Sequence, residues 1–257
     1  MNNFESYKKI IEQIKNNDEV YLFISFEKNN LFKLGSKILL DKNFNILFSE
    51  LENINKINFK NIEFAKEKTG KQKIKIGEQT INFYVEKFQV PYRIIIFGAG
   101  HICLALCNLL QFFDFNILVV DDRIDLLEKL NFPKVKKLNI EFTEINNNIQ
   151  INENDFLVII TRGHIYDKEV LEQVVNSNAK YIGMIGSKKR VIAVKKLLSE
   201  QGVSEEKLNQ IYAPIGLPIS NNQVEEIALS ILSQIIAVKN NKINFVRFVY
   251  EKFNKSF

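Results

Sequence analysis

A glycine-rich turn, Gly98–Gly100, is the segment of this sequence best suited to bind a phosphate-bearing ligand. It follows an apolar run of β type, Arg93–Phe97, and precedes a long apolar segment of helical type, Ile102–Phe113. Gly98 permits a tight turn, and Gly100 permits a close approach of the backbone to a ligand. The first N–H groups of the following helix are then available to an anion. The pattern predicts a strand–turn–helix unit of the dinucleotide-binding type.

An acidic pair follows the next predicted strand, Ile117–Val120. Asp121 and Asp122 stand about twenty residues beyond the turn, where such folds place the carboxylate that holds a ribose hydroxyl. Arg123 comes directly after them. In the dinucleotide-binding motif G-x-G-x-x-G, the third glycine position is occupied here by Cys103, so two hypotheses remain open. The turn binds a nucleotide-like ligand, or it is a tight turn without one.

Two further predicted strands, Phe156–Ile160 and Tyr181–Ile185, are also followed by polar residues. The carboxyl ends of parallel strands meet at one edge of a sheet, and ligands of open α/β folds bind there. We therefore expect the side chains after all these strands to lie close together. The predicted site at this edge consists of Gly98, Gly100, His101, Asp121, Asp122, Arg123, Thr161, Arg162, His164, Asp167, Gly186, Ser187 and Arg190.

The pair His164 and Asp167 allows two interpretations. It could supply an acid–base or metal-binding pair, or it could be structural, with a hydrogen-bonded histidine and an aspartate that caps a helix. No third residue stands at the spacing of a metal site, so the sequence predicts no metal. It contains no nucleophile elbow and no Ser-His-Asp arrangement. No catalytic residue is therefore assigned.

The turn Gly186-Ser187 begins a predicted helix whose first turn carries Lys188, Lys189 and Arg190. Cations at a helix N-terminus oppose the helix dipole. Together with the free N–H groups, they favour binding of a phosphate or another oxyanion. The alternative for the two lysines is a solvated helix face. Arg190, which can reach back over the turn, is the stronger candidate.

Composition excludes several classes of protein. The chain has 257 residues and a formal net charge of +5, with its lysines scattered along the sequence, which does not favour a nucleic-acid partner. The first twenty residues are polar and charged, so we expect a cytoplasmic protein without a membrane anchor.

The only cysteines, Cys103 and Cys107, lie four residues apart on one helix face. We expect them to pack a core; a metal pair or a sulfur carrier is the alternative.

The alternation of strands and helices predicts the domain organisation. Residues 1–90 form a small α+β domain. Residues 91–240 alternate strand and helix, as a doubly wound, Rossmann-like parallel sheet requires, so the fold class is α/β. Residues 241–257 form a C-terminal helical tail.

The N-terminal domain carries no spacing typical of a catalytic motif. It begins with an amphipathic helix, Phe4–Asn16, with Phe4, Tyr7, Ile11 and Ile14 on its apolar side. A strand, Val20–Phe26, follows, and residues 73–85 alternate as a hairpin does. Its sequence contains no cysteine and no histidine.

Six segments that follow one another in the sequence resemble a known family. They are GAGH (Gly98–His101), VVDDR (Val119–Arg123), TRGHIYD (Thr161–Asp167), YIGMIGSKKR (Tyr181–Arg190), APIGLPI (Ala213–Ile219) and EEIALSILSQIIA (Glu225–Ala237). Over residues 92–240 the chain is similar to the xanthine dehydrogenase accessory factor family (XdhC/CoxI). The resemblance implies a Rossmann-type domain joined to a smaller N-terminal domain.

The resemblance also implies a function in the maturation of molybdenum hydroxylases. Members bind the molybdenum cofactor, protect it while a terminal sulfido ligand is installed, and deliver it to an apo enzyme of the xanthine dehydrogenase type. The sulfur comes from a partner cysteine desulfurase. Such a protein is a cofactor chaperone more than a turnover enzyme, and a homodimer is compatible with it. The resemblance adds Pro214 and Gly216 to the residues expected to bind the cofactor.

Two other functions remain as alternatives. One is an NAD(P)-dependent oxidoreductase, with Asp121 or Asp122 on the ribose and His101 or His164 as acid–base. The sequence offers no separate substrate domain for it. The other is a Rossmann module that senses a nucleotide and changes its oligomeric state.

Overall fold

The computed structural model divides into two compact units, Met1–Val90 and Pro91–Phe257. It describes residues 3–16, 19–28, 32–51, 54, 59, 69–76, 79–89, 91–242 and 244. Of the predicted C-terminal tail, residues 243 and 245–257 lie outside this set.

The first unit is a five-stranded antiparallel sheet with one long helix. Its elements are α1 (Asn3–Asn16), β1 (Glu19–Ser25), β2 (Lys37–Asp41), β3 (Ile46–Ser49), β4 (Gly70–Ile76) and β5 (Gln79–Gln89), with the strand order β3-β2-β1-β5-β4. Side chains of β1 alternate between two apolar clusters. Tyr21 and Phe23 belong to one, and Val20 and Leu22 belong to the other.

The apolar side of α1 differs from the prediction. Tyr7 and Ile11 are about half exposed, whereas Ile10 is buried against Val20 and Leu22 of the sheet. Ile10 is therefore a residue through which α1 contacts the sheet, and the side chains of Phe4 and Ile14, also predicted on the apolar side, lie outside what the structure describes.

The second unit is a parallel sheet with helices on both faces. Its strands are β6 (Arg93–Phe97), β7 (Asn116–Asp121), β8 (Val135–Asn139), β9 (Asp155–Ile159) and β10 (Tyr181–Met184). Its helices are α2 (His101–Leu110), α3 (Ile124–Glu128), α4 (Ile145–Asn148), α5 (Gly163–Val174), α6 (Lys188–Glu200), α7 (Glu205–Gln210) and α8 (Val224–Lys239). The run Ile94–Ile96 is completely buried, as expected for a central strand covered on both faces.

The strand order, β10-β9-β6-β7-β8, is that of a doubly wound fold. The direction of strand progression reverses between β6 and β9, which places the topological switch point at the carboxyl end of β6. Next to β10, Tyr212 makes a parallel bridge to Gly183 in the place of a sixth strand. The predicted fold class, a Rossmann-like parallel sheet with a smaller N-terminal α+β domain, is confirmed.

The helices of this unit form two layers. Residues of α2 and α8 share an apolar core on one face of the sheet, and α5 and α6 share the core on the other. Within the described residues, no helix is both long enough and apolar enough to cross a lipid bilayer. The apolar run Ile94–Phe113 is a strand followed by a helix.

A buried glutamine attaches the loop after Tyr212 to α8. The Gln234 Oε1 atom accepts hydrogen bonds from the Gly216 N–H, at 3.0 Å, and from the Tyr181 hydroxyl. Its Nε2 donates to the Gly216 carbonyl at 3.1 Å. Gly216 has φ +93°, and a Cβ there would collide with the Ser230 Oγ. Only glycine lets this loop come so close to the helix.

We predict that Gln234→Leu lowers the free energy of unfolding by about 2–4 kcal/mol, because both buried backbone groups of Gly216 lose their hydrogen bonds to Gln234 and the Tyr181 hydroxyl loses one acceptor. The matched control is Gln210→Leu, the same change at an exposed position, which we expect to stay within about 0.5 kcal/mol of the parent. Urea unfolding measures both. Equal stabilities of the two variants would contradict this role of Gln234.

Candidate functional site

The two glycines of the turn after β6 serve different purposes. The Gly98 N–H donates to the Val120 carbonyl at 2.8 Å. Gly98 has φ +110°, and a Cβ there would lie 2.5 Å from the Ile160 carbonyl oxygen. Any side chain at position 98 would collide with the neighbouring backbone, so only glycine fits there. Gly100 precedes α2 and has open space at its Cβ position. This open space leaves room for a ligand to come close to the backbone, as predicted for Gly100.

Asp121, at the end of β7, is completely buried beneath this turn. Its Oδ2 accepts the Ala99 N–H at 2.6 Å, and its Oδ1 accepts the backbone N–H and the Nε of Arg123 at 3.0 and 2.8 Å. Burial raises the pKa of Asp121. The hydrogen bonds from Arg123 and Ala99 outweigh burial and lower this pKa to about 2. Asp121 is a structural carboxylate that holds the turn, not a free ribose ligand.

Asp122 is paired across the switch point. Arg162, which follows β9, donates from both terminal nitrogens to both Asp122 oxygens at 2.5 Å. The guanidinium also lies over the Tyr166 ring, 4.5 Å from its centroid. The hydrogen bonds that Arg162 donates to Asp122 raise the pKa of Arg162 above its ordinary value. Both acids predicted to hold a ribose are thus paired with arginines, Arg123 and Arg162.

A second polar cluster joins α5 to α6. The buried carboxylate of Asp167 accepts hydrogen bonds from the Thr161 hydroxyl and from Arg190. The helix α5 begins at Gly163 with Arg162 at its N-cap, so the predicted capping role of Asp167 is wrong. His164 is in the first turn of α5, but the placement of its side chain lies outside what the structure describes.

The turn before α6 also differs in detail from the expectation. Ser187 is the N-cap, and its Oγ accepts the Arg190 N–H at 3.3 Å. The aliphatic part of Arg190 lies over Gly186, where a Cβ would be 3.1 Å from the Arg190 Cδ. Arg190 does reach back over the turn, as predicted. Its charge, however, is directed to Asp167.

A cleft of about 790 Å³ lies between this turn and the loop that Gln234 holds. The predicted residues Gly186, Ser187, Pro214 and Gly216 all line it. Lys188, considered in the sequence as a cation of this turn, lines it as well. The sequence analysis assigned no role to the other lining residues, which are Ile185, Ile215, Leu217, Pro218, Ser220, Asn222, Ile227 and Ser230. Ile227 and Ser230 reach the cleft only through the packing of α8.

The predicted site residues therefore divide into separate groups. Asp121, Asp122, Arg123 and Arg162 form an ion-pair network at the switch point. Thr161, Asp167 and Arg190 form the second cluster. His101 is exposed and lines a different groove, between α2 and α8. Four predicted residues border the cleft, namely Gly186, Ser187, Pro214 and Gly216.

The two thiols are in the core, as expected from the packing hypothesis. Cys103 and Cys107 are completely buried, and their Sγ atoms lie 3.9 Å apart. The hydrogen bond between them and their burial raise the pKa of Cys103 well above its usual value, so its thiolate is disfavoured. Among the described residues, no group of three His, Cys, Asp or Glu side chains could hold a metal ion.

We predict that Asp121 makes the protein sensitive to acid. Its folded-state pKa of about 2 lies below the ordinary value of 3.8, so the unfolded state binds the proton more readily. The stabilisation, about 2 kcal/mol, is complete above roughly pH 5 and disappears as the pH falls through 2. Urea unfolding at several pH values should show a smaller loss for Asp121→Asn than for the parent. Asp125→Asn, at an exposed position, should lose as much as the parent; identical slopes for all three would contradict the assignment.

Comparisons with known proteins agree with this architecture. A family model described as the XdhC Rossmann domain matches residues 94–235. A probable xanthine dehydrogenase subunit of Bacillus subtilis (strain 168) is 31% identical over 163 residues, which cover 63% of this chain and 47% of that protein. "Uncharacterized protein YqeB" of Escherichia coli (strain K12) is 31% identical over 151 residues, 58% of this chain and 28% of that protein. The chain thus spans about half and about a quarter of the lengths of these relatives.

A solved structure has the same fold. The crystal structure of a xanthine dehydrogenase from Bacillus halodurans superposes with a TM-score of 0.64, covering 92% of this chain and 64% of that one, at 23% identity. At this identity the likeness establishes the fold alone. The family model covers more than half of the sequence, including the glycine turn, the acidic pair and most of α8. This chain belongs to the XdhC family.

Proposed function

We propose that this protein is an accessory factor that binds the molybdenum cofactor and supports its sulfuration and its insertion into a molybdenum hydroxylase of the xanthine dehydrogenase type. Membership of the XdhC family supports the assignment, as does the name of the Bacillus subtilis relative. The observation that carries the proposal is the cleft between the Gly186 turn and the Gly216 loop.

The cleft fits a phosphate-bearing pterin in size and chemistry. Its volume of about 790 Å³ is in the range of small-molecule sites. Ile185, Ile215 and Ile227 offer apolar contacts to a flat ring. Lys188 and the N-terminus of α6 offer a cation and N–H groups to a phosphate. The bound cofactor would bring the redox-active molybdenum centre that the client enzyme requires.

The pairing of Asp121 and Asp122 argues against an NAD(P)-dependent oxidoreductase. A dinucleotide on the glycine turn needs an acid at the end of β7 for its ribose. Every oxygen of both carboxylates already accepts a hydrogen bond from Arg123 or Arg162. Binding a ribose there would require an ion pair to open.

The buried thiols favour an external source of sulfur. The sequence has only two cysteines, and neither Cys103 nor Cys107 reaches solvent. A sulfur carrier needs an accessible thiolate. We therefore assign the sulfur to a partner cysteine desulfurase, and we assign to this protein the binding and protection of the cofactor until it passes to the apo enzyme.

We predict that the purified protein binds molybdenum cofactor with micromolar or tighter affinity and binds NADH and NADPH about a thousandfold more weakly. Calorimetric titrations with each ligand test this. Lys188→Ala should weaken cofactor binding about tenfold, because a cation–phosphate hydrogen bond is lost. Lys189→Ala removes an equally exposed charge that does not line the cleft and should have little effect. Tight NADH binding without cofactor binding would overturn the proposal.

We also predict that the thiols take no part in sulfuration. In Cys103→Ala and Cys107→Ala, a desulfurase should sulfurate the bound cofactor at a rate within about twofold of the parent's rate. The measurement is the amount of sulfur that cyanide releases from the cofactor. Denatured protein should react with a thiol reagent much faster than native protein does. A tenfold loss of sulfuration in a variant that still binds cofactor would show that a thiol carries the sulfur.

A further inference from the structure

A second depression, which we call the α2–α8 groove, lies between helices that pack side by side on one face of the sheet. It has a volume of about 760 Å³. Ala105 and Leu109 of α2 and Phe132 line it together with Leu104 and Leu229. The cofactor cleft shares no lining residue with it, although α8 contributes to both. The two can therefore be occupied independently.

Apolar side chains stand exposed on the two sides of this groove. Leu104 of α2 is 42% exposed, and Leu229 of α8 is 49% exposed. Exposed apolar side chains that border a groove are typical of an interaction surface. A small ligand on the floor would leave the outer parts of both leucines in water, whereas a helix lying along the groove would cover both. Two packed helices with an apolar groove between them accept a third helix through its apolar face.

The polar residues of the groove indicate which charge a partner should carry. Glu225 and Glu226, in the first turn of α8, line it with His101 and Asn108. Glu226 accepts the Asn221 N–H at 2.6 Å through one oxygen only. Among the described residues that line the groove, none is a lysine or an arginine. Its net charge is therefore negative, and a basic partner complements it.

We propose that the α2–α8 groove docks an amphipathic, basic helix of a partner protein. Leucine or aromatic side chains at every third or fourth position would lie between Leu104 and Leu229, and a lysine or arginine beside them would pair with Glu225 or Glu226. This interaction is separate from cofactor binding and does not depend on it. It gives the protein a surface for a macromolecule beside a cleft for a small one.

The first test uses a synthetic amphipathic peptide of about fourteen residues, with leucines at every third or fourth position and lysines between them. Fluorescence anisotropy of the labelled peptide with the full chain should give a dissociation constant in the micromolar range. A peptide of the same composition, with its leucines distributed around the helix, should bind at least tenfold more weakly. Equal binding of the two peptides, or no binding, would overturn the proposal.

Variants locate the site. The double variant Leu104→Ala/Leu229→Ala changes only half-exposed side chains and should keep its circular dichroism spectrum, yet bind the peptide at least tenfold more weakly. Glu225→Gln should weaken binding about threefold and reduce its salt dependence. Ile192→Ala, an equally apolar change on exposed α6, is the control and should have no effect.

Two further measurements separate this proposal from others. Lys188→Ala, which affects the cofactor cleft, should bind the peptide as the parent does, so failure of the proposed function leaves this test intact. Analytical ultracentrifugation tests the competing occupant, a second copy of this chain. A dimer of the parent that the Leu104→Ala/Leu229→Ala variant cannot form would show that the groove is a self-interface and would overturn the proposal.

Discussion

The hydrogen bond from the Ala99 N–H to the buried Asp121 carboxylate fixes the geometry on which the rest of the second unit depends. It ties the glycine turn to the end of the neighbouring strand, and so it sets where α2 begins. A buried charge is costly unless it is paired and hydrogen-bonded. Arg123 supplies the pairing from two residues further along the chain. The same carboxylate that orders the turn is thereby withdrawn from ligand binding.

The sequence predicts the scaffold well because local patterns determine it. The buried run Ile94–Ile96, the glycine turn and the polar residues after each strand are enough to predict a parallel sheet with polar residues at its carboxyl edge. Gly98 has the positive φ of a turn, and the backbone of Ile160 also passes close to it. The burial of Ile10 in α1 was not predicted, because Ile11 is equally apolar and only tertiary packing selects between the two.

The roles of individual site residues were harder to predict, because their partners are distant in sequence. Asp122 and Arg162 are 40 residues apart, and Asp167 and Arg190 are 23 apart. Each was predicted from its position as a residue available to a ligand. The fold instead brings opposite charges together, and the residues that form these ion pairs do not line the cleft. Gln234 lies within Glu225–Ala237, one of the segments that carry the resemblance, but a glutamine in an apolar helix does not by itself indicate which loop it binds.

These pairings bear on the kind of function that the edge can perform. A turnover enzyme keeps at least one acid, base or nucleophile near its substrate with a tuned and accessible proton. Here the described carboxylates of the edge are fixed by arginines, the thiols are buried, and the cleft presents backbone, isoleucines, a few small polar side chains and Lys188. Under the proposed function, the isoleucines would contact the ligand and Lys188 would pair with its negative charge. The ion pairs fix the neighbouring strand ends, and that is compatible with a role in binding.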